Sequence, residues 1–341
     1  MTPAQIQEKL ARLPRVHLAN LPTPLEPLPR LTAALGGPHL FVKRDDLTGL
    51  AFGGNKTRQL EFVMADVLRE KPDVLVTGAN IQSNWSRQAT AAAVKMGIPI
   101  VLVLRNTDMQ EIQGNVLLDL WMGAEVHFVN EPDMTRMKQH IDDVVAELRA
   151  QGKRAVKLDS WSPLTAVAYV NMMVELYEQC QQMYIQPTRL WLAAAGPTQA
   201  GIELGARMLD WKIHITGVAP LRWTDATMAE HTARIANQAA EILQTDIRIT
   251  PNEIDNRDGF IGDGYAIPTR AGLEAMRLAA RTDALLLDPV YTSKAMAGLL
   301  DATRNGELTR NDVVIFLHTG GLPANFAYRD AIQEMSSERS P

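Results

Sequence analysis

The chain has 341 residues, 46% apolar and 21% charged, enough to bury a large core and too apolar for a disordered protein. Thirty-four basic residues against thirty-nine acidic ones leave a net charge of −5, which disfavours a nucleic-acid partner. One cysteine, Cys180, excludes an internal disulfide framework and a zinc site built on several thiolates, and no apolar run approaches the roughly eighteen residues of a membrane span.

In chain order, short β-rich runs alternate with helical stretches. His39–Lys43 reads as the first strand, followed by Asp73–Thr77, Ile98–Leu104, Glu125–Val129 and Ala155–Leu158. Leu190–Ala194, His214–Val218 and Val313–Leu317 complete the set. Several are continuous apolar runs, as strands covered on both faces require. Helical patterns lie between them over Arg58–Glu70, Ser86–Met96, Met134–Gln151 and Ala200–Leu209, the third being the most polar and expected at the surface. This alternation predicts an α/β architecture with doubly wound, mostly parallel sheets. The tail Ser336–Pro341 is expected to fray. Met1–Gln5 shows no charged region leading into an apolar one, so a cytoplasmic protein is expected.

Four stretches place Gly, Asn, Ser and Thr at expected strand ends, where ligands of open α/β sheets bind. Gly53-Gly54-Asn55-Lys56-Thr57-Arg58 opens a helix. It is not a phosphate-binding P-loop, because Asn55 stands where that motif needs Gly directly before Lys. Lys56 is either a solvated lysine or a Schiff-base lysine. The second role needs a neutral amine, and a helix N-terminus favours one by disfavouring a cation. Gln82-Ser83-Asn84 precedes an Ala-rich helix, either as a plain N-cap or as amides that bind a carboxylate. Ala194-Ala195-Gly196-Pro197-Thr198 precedes another helix, as a simple turn or as a seat for a phosphate.

The fourth stretch is split among Gly262–Pro268 with Tyr265, Asp288–Met296 with Tyr291 and Thr292, and His318–Gly321 with Thr319. The two tyrosines either pack or transfer protons in a cleft. The seven histidines form no HExxH pair, so no metal site is expected. A G-x-S-x-G elbow and a dinucleotide fingerprint are both missing.

Taken in this order, the words Gly-Gly-Asn-Lys-Thr-Arg, Gln-Ser-Asn, Thr-Gln-Ala-Gly, Asp-Pro-Val-Tyr and His-Thr-Gly-Gly carry a likeness that runs from Leu21 to Gly321. The chain resembles the pyridoxal-phosphate enzymes of the 1-aminocyclopropane-1-carboxylate deaminase and D-cysteine desulfhydrase group, which includes L-cysteate sulfo-lyase. The resemblance implies the tryptophan-synthase-β-like fold (fold type II), with residues 1–52 and 162–341 as the large lobe and 53–161 as a smaller inserted lobe. It implies pyridoxal 5′-phosphate as cofactor and a homodimer, with no nucleic-acid or membrane partner. The implied reaction is β-elimination from a small amino acid, giving a 2-keto acid and ammonia. Two alternatives stand beside it: β-replacement or other carbanion chemistry in the biosynthesis of an unusual amino acid, and a cofactor-poor binding relative.

By the same resemblance Lys56 is the Schiff-base lysine and takes the α-proton. Asn84 contacts the cofactor's 3-oxygen, and Ser83 the substrate carboxylate or its proton traffic. Gly196 and Thr198 hold the phosphate, with Asn55, Ala195 and Thr319 also at the cofactor. Tyr265 and Tyr291 match the active-site tyrosines, and Thr292 the residue facing the pyridine nitrogen. Four departures from the family pattern bear on the site. Pro197 has no N–H to give a phosphate, Gln59 stands where relatives often carry a lysine, and Trp85 and Trp161 are expected to reshape the substrate pocket.

Overall fold

A computed structural model describes residues 1–106, 111–132, 136–223 and 225–337. Its strands are β1 (Leu25–Pro27), β2 (His39–Lys43), β3 (Val74–Asn80), β4 (Ile100–Arg105), β5 (Glu125–Val129), β6 (Ala155–Lys157), β7 (Arg189–Ala193), β8 (His214–Val218), β9 (Asp255–Arg257) and β10 (Val313–Leu317). Its helices are α1 (Pro3–Ala11), α2 (Pro29–Leu35), α3 (Asn55–Val67), α4 (Asn84–Met96), α5 (Gly114–Trp121), α6 (Met137–Ala150), α7 (Pro163–Gln182), α8 (Pro197–Met208), α9 (Met228–Ile242), α10 (Arg270–Asp283), α11 (Thr292–Arg304), α12 (Ala324–Ala327) and α13 (Arg329–Ser337).

The strands form two open sheets, one ordered β1-β2-β10-β7-β8-β9 and the other β5-β4-β3-β6. All pairs are parallel except β1 with β2. Helices cover both faces, so the central strands are buried on both sides and their sequences read as unbroken apolar runs. In the larger sheet, Leu190, Leu192, Ile315 and Leu317 pack on α7, α8 and α9, while Trp191, Val314 and Phe316 pack on α11. In the smaller sheet, Leu75, Leu102 and Leu104 pack on α3 and α4, and Val74, Val76, Val101 and Val103 on α6. Helix α3 joins the two, since Phe62 enters the larger core while Leu60, Val63 and Met64 enter the smaller one.

All eight expected strands form, with ends moved by a few residues. Two edge strands, β1 and β9, escape the sequence because three residues carry no period. The longest helix, α7, escapes it for another reason: residues 165–174 are all buried, so its polar stripe is missing. The expected Met134–Gln151 helix begins at Met137, and Met134 lies outside the described residues. Of the expected tail, Ser336 and Ser337 end α13, and residues 338–341 lie outside the described residues. Among the described residues no helix is long and apolar enough to cross a membrane.

Candidate active site at the carboxyl ends of both sheets

The carboxyl ends of β3, β6, β7, β8 and β10 converge on one cavity of about 760 Å³, the place where open α/β sheets bind ligands. Lys56, the second residue of α3, lines it. Gly54, at φ 124°, brings the chain so close to its neighbours that a Cβ there would lie 2.7 Å from Gln88 Nε2 and 3.1 Å from Thr319 O. The amide of Asn55 donates to Thr319 O at 3.0 Å, which ties the His-Thr-Gly-Gly word to the start of α3.

The helix is anchored two residues further on. Arg58, fully buried, donates to Asp45 at 2.9 and 3.0 Å and to Glu175 at 2.8 and 2.9 Å. Lys43 Nζ meets the same Glu175 at 2.5 Å, and Tyr169 donates to Asp45 at 2.7 Å. Lys43 and Asp45, which the sequence shows only as a charged run, therefore lock α3 to β2 and α7. Burial pushes the Lys56 amine down to about 8, so roughly a tenth of it is neutral at pH 7.

On the small-sheet side, Ser83 caps α4 and accepts from Ser86 N at 3.2 Å, leaving its own proton to donate toward the cavity it lines. The N-cap reading of Ser83 therefore holds. Asn84 Oδ1 accepts from Asn115 Nδ2 at 3.0 Å and from Arg87 Nη2 at 3.3 Å, so its amino group is the end left for a ligand oxygen. Trp85 lines the cavity, yet it is 4% exposed and belongs to the core of the smaller sheet. Its Nε1 donates to Thr77 Oγ1 at 2.9 Å, and Thr77 donates to Leu158 O at 3.0 Å.

On the large-sheet side, Ala195, Pro197 and Thr198 line the cavity at the start of α8. Gly196, at φ 107°, is pressed by the Trp161 ring, which a Cβ would meet at 2.8 Å. The amides of Thr198 and Gln199 lie in the first turn, where no helical acceptor exists. Asn55 Nδ2 and Gln59 Nε2 both donate to Thr198 Oγ1, at 3.0 and 3.1 Å, while Gln59 Oε1 is buried without a partner. Two amino groups crowding one hydroxyl oxygen beside a helix start form a set of donors short of an acceptor. A phosphate fits that set, and pyridoxal phosphate fits it together with Lys56. The cradle is neutral except for the helix end, and Pro197 removes one amide from it.

The tyrosine hydroxyls of Tyr265 and Tyr291 hydrogen-bond to each other at the cavity wall. Burial pushes both phenols above their ordinary range, so both are protonated near neutral pH and one hydroxyl donates to the other. Asp288 positions Tyr291 by accepting from Val290 N and Tyr291 N, each at 2.9 Å. The same carboxylate takes the Thr292 hydroxyl at 2.7 Å and the Thr292 amide at 2.9 Å. Thr292 is fully buried and is not among the lining residues. Its hydroxyl is thus engaged with Asp288, which also takes the amide of this first residue of α11. Thr319 lines the cavity beside Gly320.

Sequence reasoning singled out Trp161 but missed Trp223 and His231, which complete one wall with it. Trp161 meets Trp223 edge-on at 5.2 Å between centroids and His231 at 5.5 Å, and Trp223 meets His231 at 5.8 Å. His231 is held between Asp225, at 3.3 Å from Nε2, and Arg234, which donates to Nδ1 at 3.3 Å. The Trp223 indole N–H is buried without a partner. The one available signal was position: Trp223 follows the carboxyl end of a strand, as the recognised segments do, but without their glycines.

A model of the pyridoxal-phosphate dependent enzyme family matches residues 16–320. The D-cysteine desulfhydrases of Salmonella typhi and of Salmonella newport are each 37% identical over 328 residues, which cover 94% of this chain and 97% of theirs. Among solved structures, a homologue of ACC deaminase is 32% identical, with a TM-score of 0.88 over 98% of this chain and all of the other. A threonine deaminase from Solanum lycopersicum, 15% identical with a TM-score of 0.68 over 98% of this chain and 94% of its own, shares the fold.

Proposed function

The chain belongs to the pyridoxal-phosphate dependent enzyme family and is a lyase of that family; from that premise we propose that it eliminates the β-substituent of a small amino acid, as a D-cysteine desulfhydrase does. Water completes the balance: the products are a 2-keto acid, ammonia and the protonated leaving group. The observation that carries the reading is one lysine, Lys56, lining the same cavity as an anion cradle and a protonated tyrosine pair, with its amine lowered to about 8 by desolvation.

The bound cofactor supplies an electron sink for the α-carbanion. The protein supplies placement and protons. Thr198, Gln199, Asn55 and Gln59 hold the phosphate through neutral donors. Asn84 presents its amino group to the cofactor's ring oxygen, and Ser83 its hydroxyl to the substrate carboxylate. Lys56 Nζ anchors the cofactor and then takes the α-proton, which needs the neutral amine that burial favours. The Tyr265–Tyr291 pair holds a proton for the leaving group. We further take residues 53–161 as the smaller lobe, since the strands of the four-stranded sheet fall between residues 74 and 157.

A homodimer is part of the proposal. Leu117, Leu120 and Trp121 of α5 are exposed, as is Phe326 of the neighbouring α12, and exposed large apolar side chains favour a protein partner. A cytoplasmic location accords with a single, unpaired Cys180. The test is to supply the holoprotein with D- and L-cysteine, cysteate, β-chloroalanine and 1-aminocyclopropane-1-carboxylate, with and without a second thiol. Equal yields of keto acid and ammonia from a β-substituted alanine are expected. Ring opening without any elimination, or a thioether product without ammonia, refutes it.

A further inference from the structure

The chain enters α3 through four consecutive residues in the left-handed region: Ala51 at φ 42°, Phe52 at 69°, Gly53 at 67° and Gly54 at 124°. Glycine accepts such angles, but a side chain with a Cβ is disfavoured there, and two such residues in succession must be held by something else. The Phe52 ring is 56% exposed, so its packing does not hold the loop.

Arg87, from the second turn of α4 and fully buried, reaches the loop. Its Nη1 donates to Ala51 O, and its Nη2 to Gly53 O at 3.2 Å. The same Nη2 lies 3.3 Å from Asn84 Oδ1, and the counter-charge is the buried Asp119 of α5. One guanidinium, whose planar fork fixes the spacing of its acceptors, thus grips both carbonyls that flank Phe52 and the oxygen end of Asn84. Arg87 does not line the cavity.

We infer that Arg87 is a positioning residue: it holds Ala51–Gly53 left-handed and so sets Lys56, three residues on, together with the amino group of Asn84. This rests on the proposed reading of Lys56 as the residue that anchors the cofactor. Lysine at position 87 keeps the charge but cannot span both carbonyls, and methionine keeps only the packing. If Arg87 works against backbone strain, removing that strain substitutes for part of its effect.

The experiment uses holoprotein saturated with pyridoxal phosphate and reads the fraction of cofactor fixed to Lys56 by borohydride, located by peptide mass, beside kcat and KM. Arg87→Met is expected to lower fixation and kcat tenfold or more with KM changed less than threefold, and Arg87→Lys to fall between. Adding Ala51→Gly and Phe52→Gly to either variant is expected to restore at least threefold. Arg87→Lys with the two glycine changes carries the test if Arg87→Met does not fold. Wild-type fixation in the Arg87 variants, or losses that the glycine changes leave untouched, overturns the inference. Absence of fixation at Lys56 in the wild type refutes the proposed function itself, so the two failures are told apart.

Discussion

Lys56 is expected to cost the cofactor-free protein stability, and the cost follows from its burial. Its amine falls from 10.5 to about 8 in the fold. Below pH 8 the amine is charged in both the folded and unfolded states, so the folded state bears the whole desolvation penalty. At about 1.4 kcal/mol per unit this is about 3 kcal/mol, an upper figure because the side chain is only partly shielded from the cavity. The penalty shrinks as pH rises through 8 toward 10.5, since the unfolded chain then binds more protons than the folded one. At pH 9.5 about 1.4 kcal/mol remains. Lys56→Met should therefore stabilise the stripped protein by about 2–3 kcal/mol at pH 7 and by roughly half that or less at pH 9.5. The assay is urea unfolding of cofactor-free wild type and variant, followed by tryptophan fluorescence at both pH values. In the holoprotein the same change abolishes turnover and covalent attachment. A stripped variant that is less stable than wild type at pH 7, or a gain that does not shrink with pH, refutes the reasoning.

Arg58→Met leaves the buried Asp45 and the partly buried Glu175 with one cation fewer, and should cost about 3–5 kcal/mol in urea unfolding; Glu175→Gln on that background should recover part of it, and a loss below about 1 kcal/mol counts against the anchoring role. Gln59→Lys puts a cation beside the α8 start, where Gln59 Oε1 is now unpartnered; pyridoxal phosphate should bind roughly tenfold more tightly by fluorescence titration, and an unchanged Kd argues against a phosphate there. Trp161→Ala removes the ring that rests on Gly196 and meets Trp223 and His231. It should raise KM several-fold for a small substrate with kcat less affected, and an unaltered KM shows that this wall does not touch the substrate.

Much of this protein follows from sequence because its logic is local. A strand covered on both faces must be apolar throughout, so β4, β7 and β10 announce themselves as unbroken runs. A turn that brings backbone close to its neighbours needs small or amide-bearing residues, so the segments around Ser83, Ala195, Thr198 and Thr319, all of which line the cavity, stand out before any fold is known. The cavity accordingly gathers Lys56, Asn55, Ser83, Asn84, Ala195, Thr198, Tyr265, Tyr291 and Thr319.

What the sequence withheld depends on distant partners. Arg58 meets Glu175 across 117 residues, and only that meeting turns a charged run into an anchor. Desolvation lowers the Lys56 amine, a cause that local reasoning could not supply because it belongs to the assembled cavity. Asp288 accepts the Thr292 hydroxyl, a bond that the motif alone does not announce. Trp161 lies far from Trp223 and His231 in the chain and makes one wall with them because β6 and β8 end at the same cavity. Periodicity and turn chemistry are written along the chain; charge pairing, desolvation and ring contacts depend on distances that only folding sets.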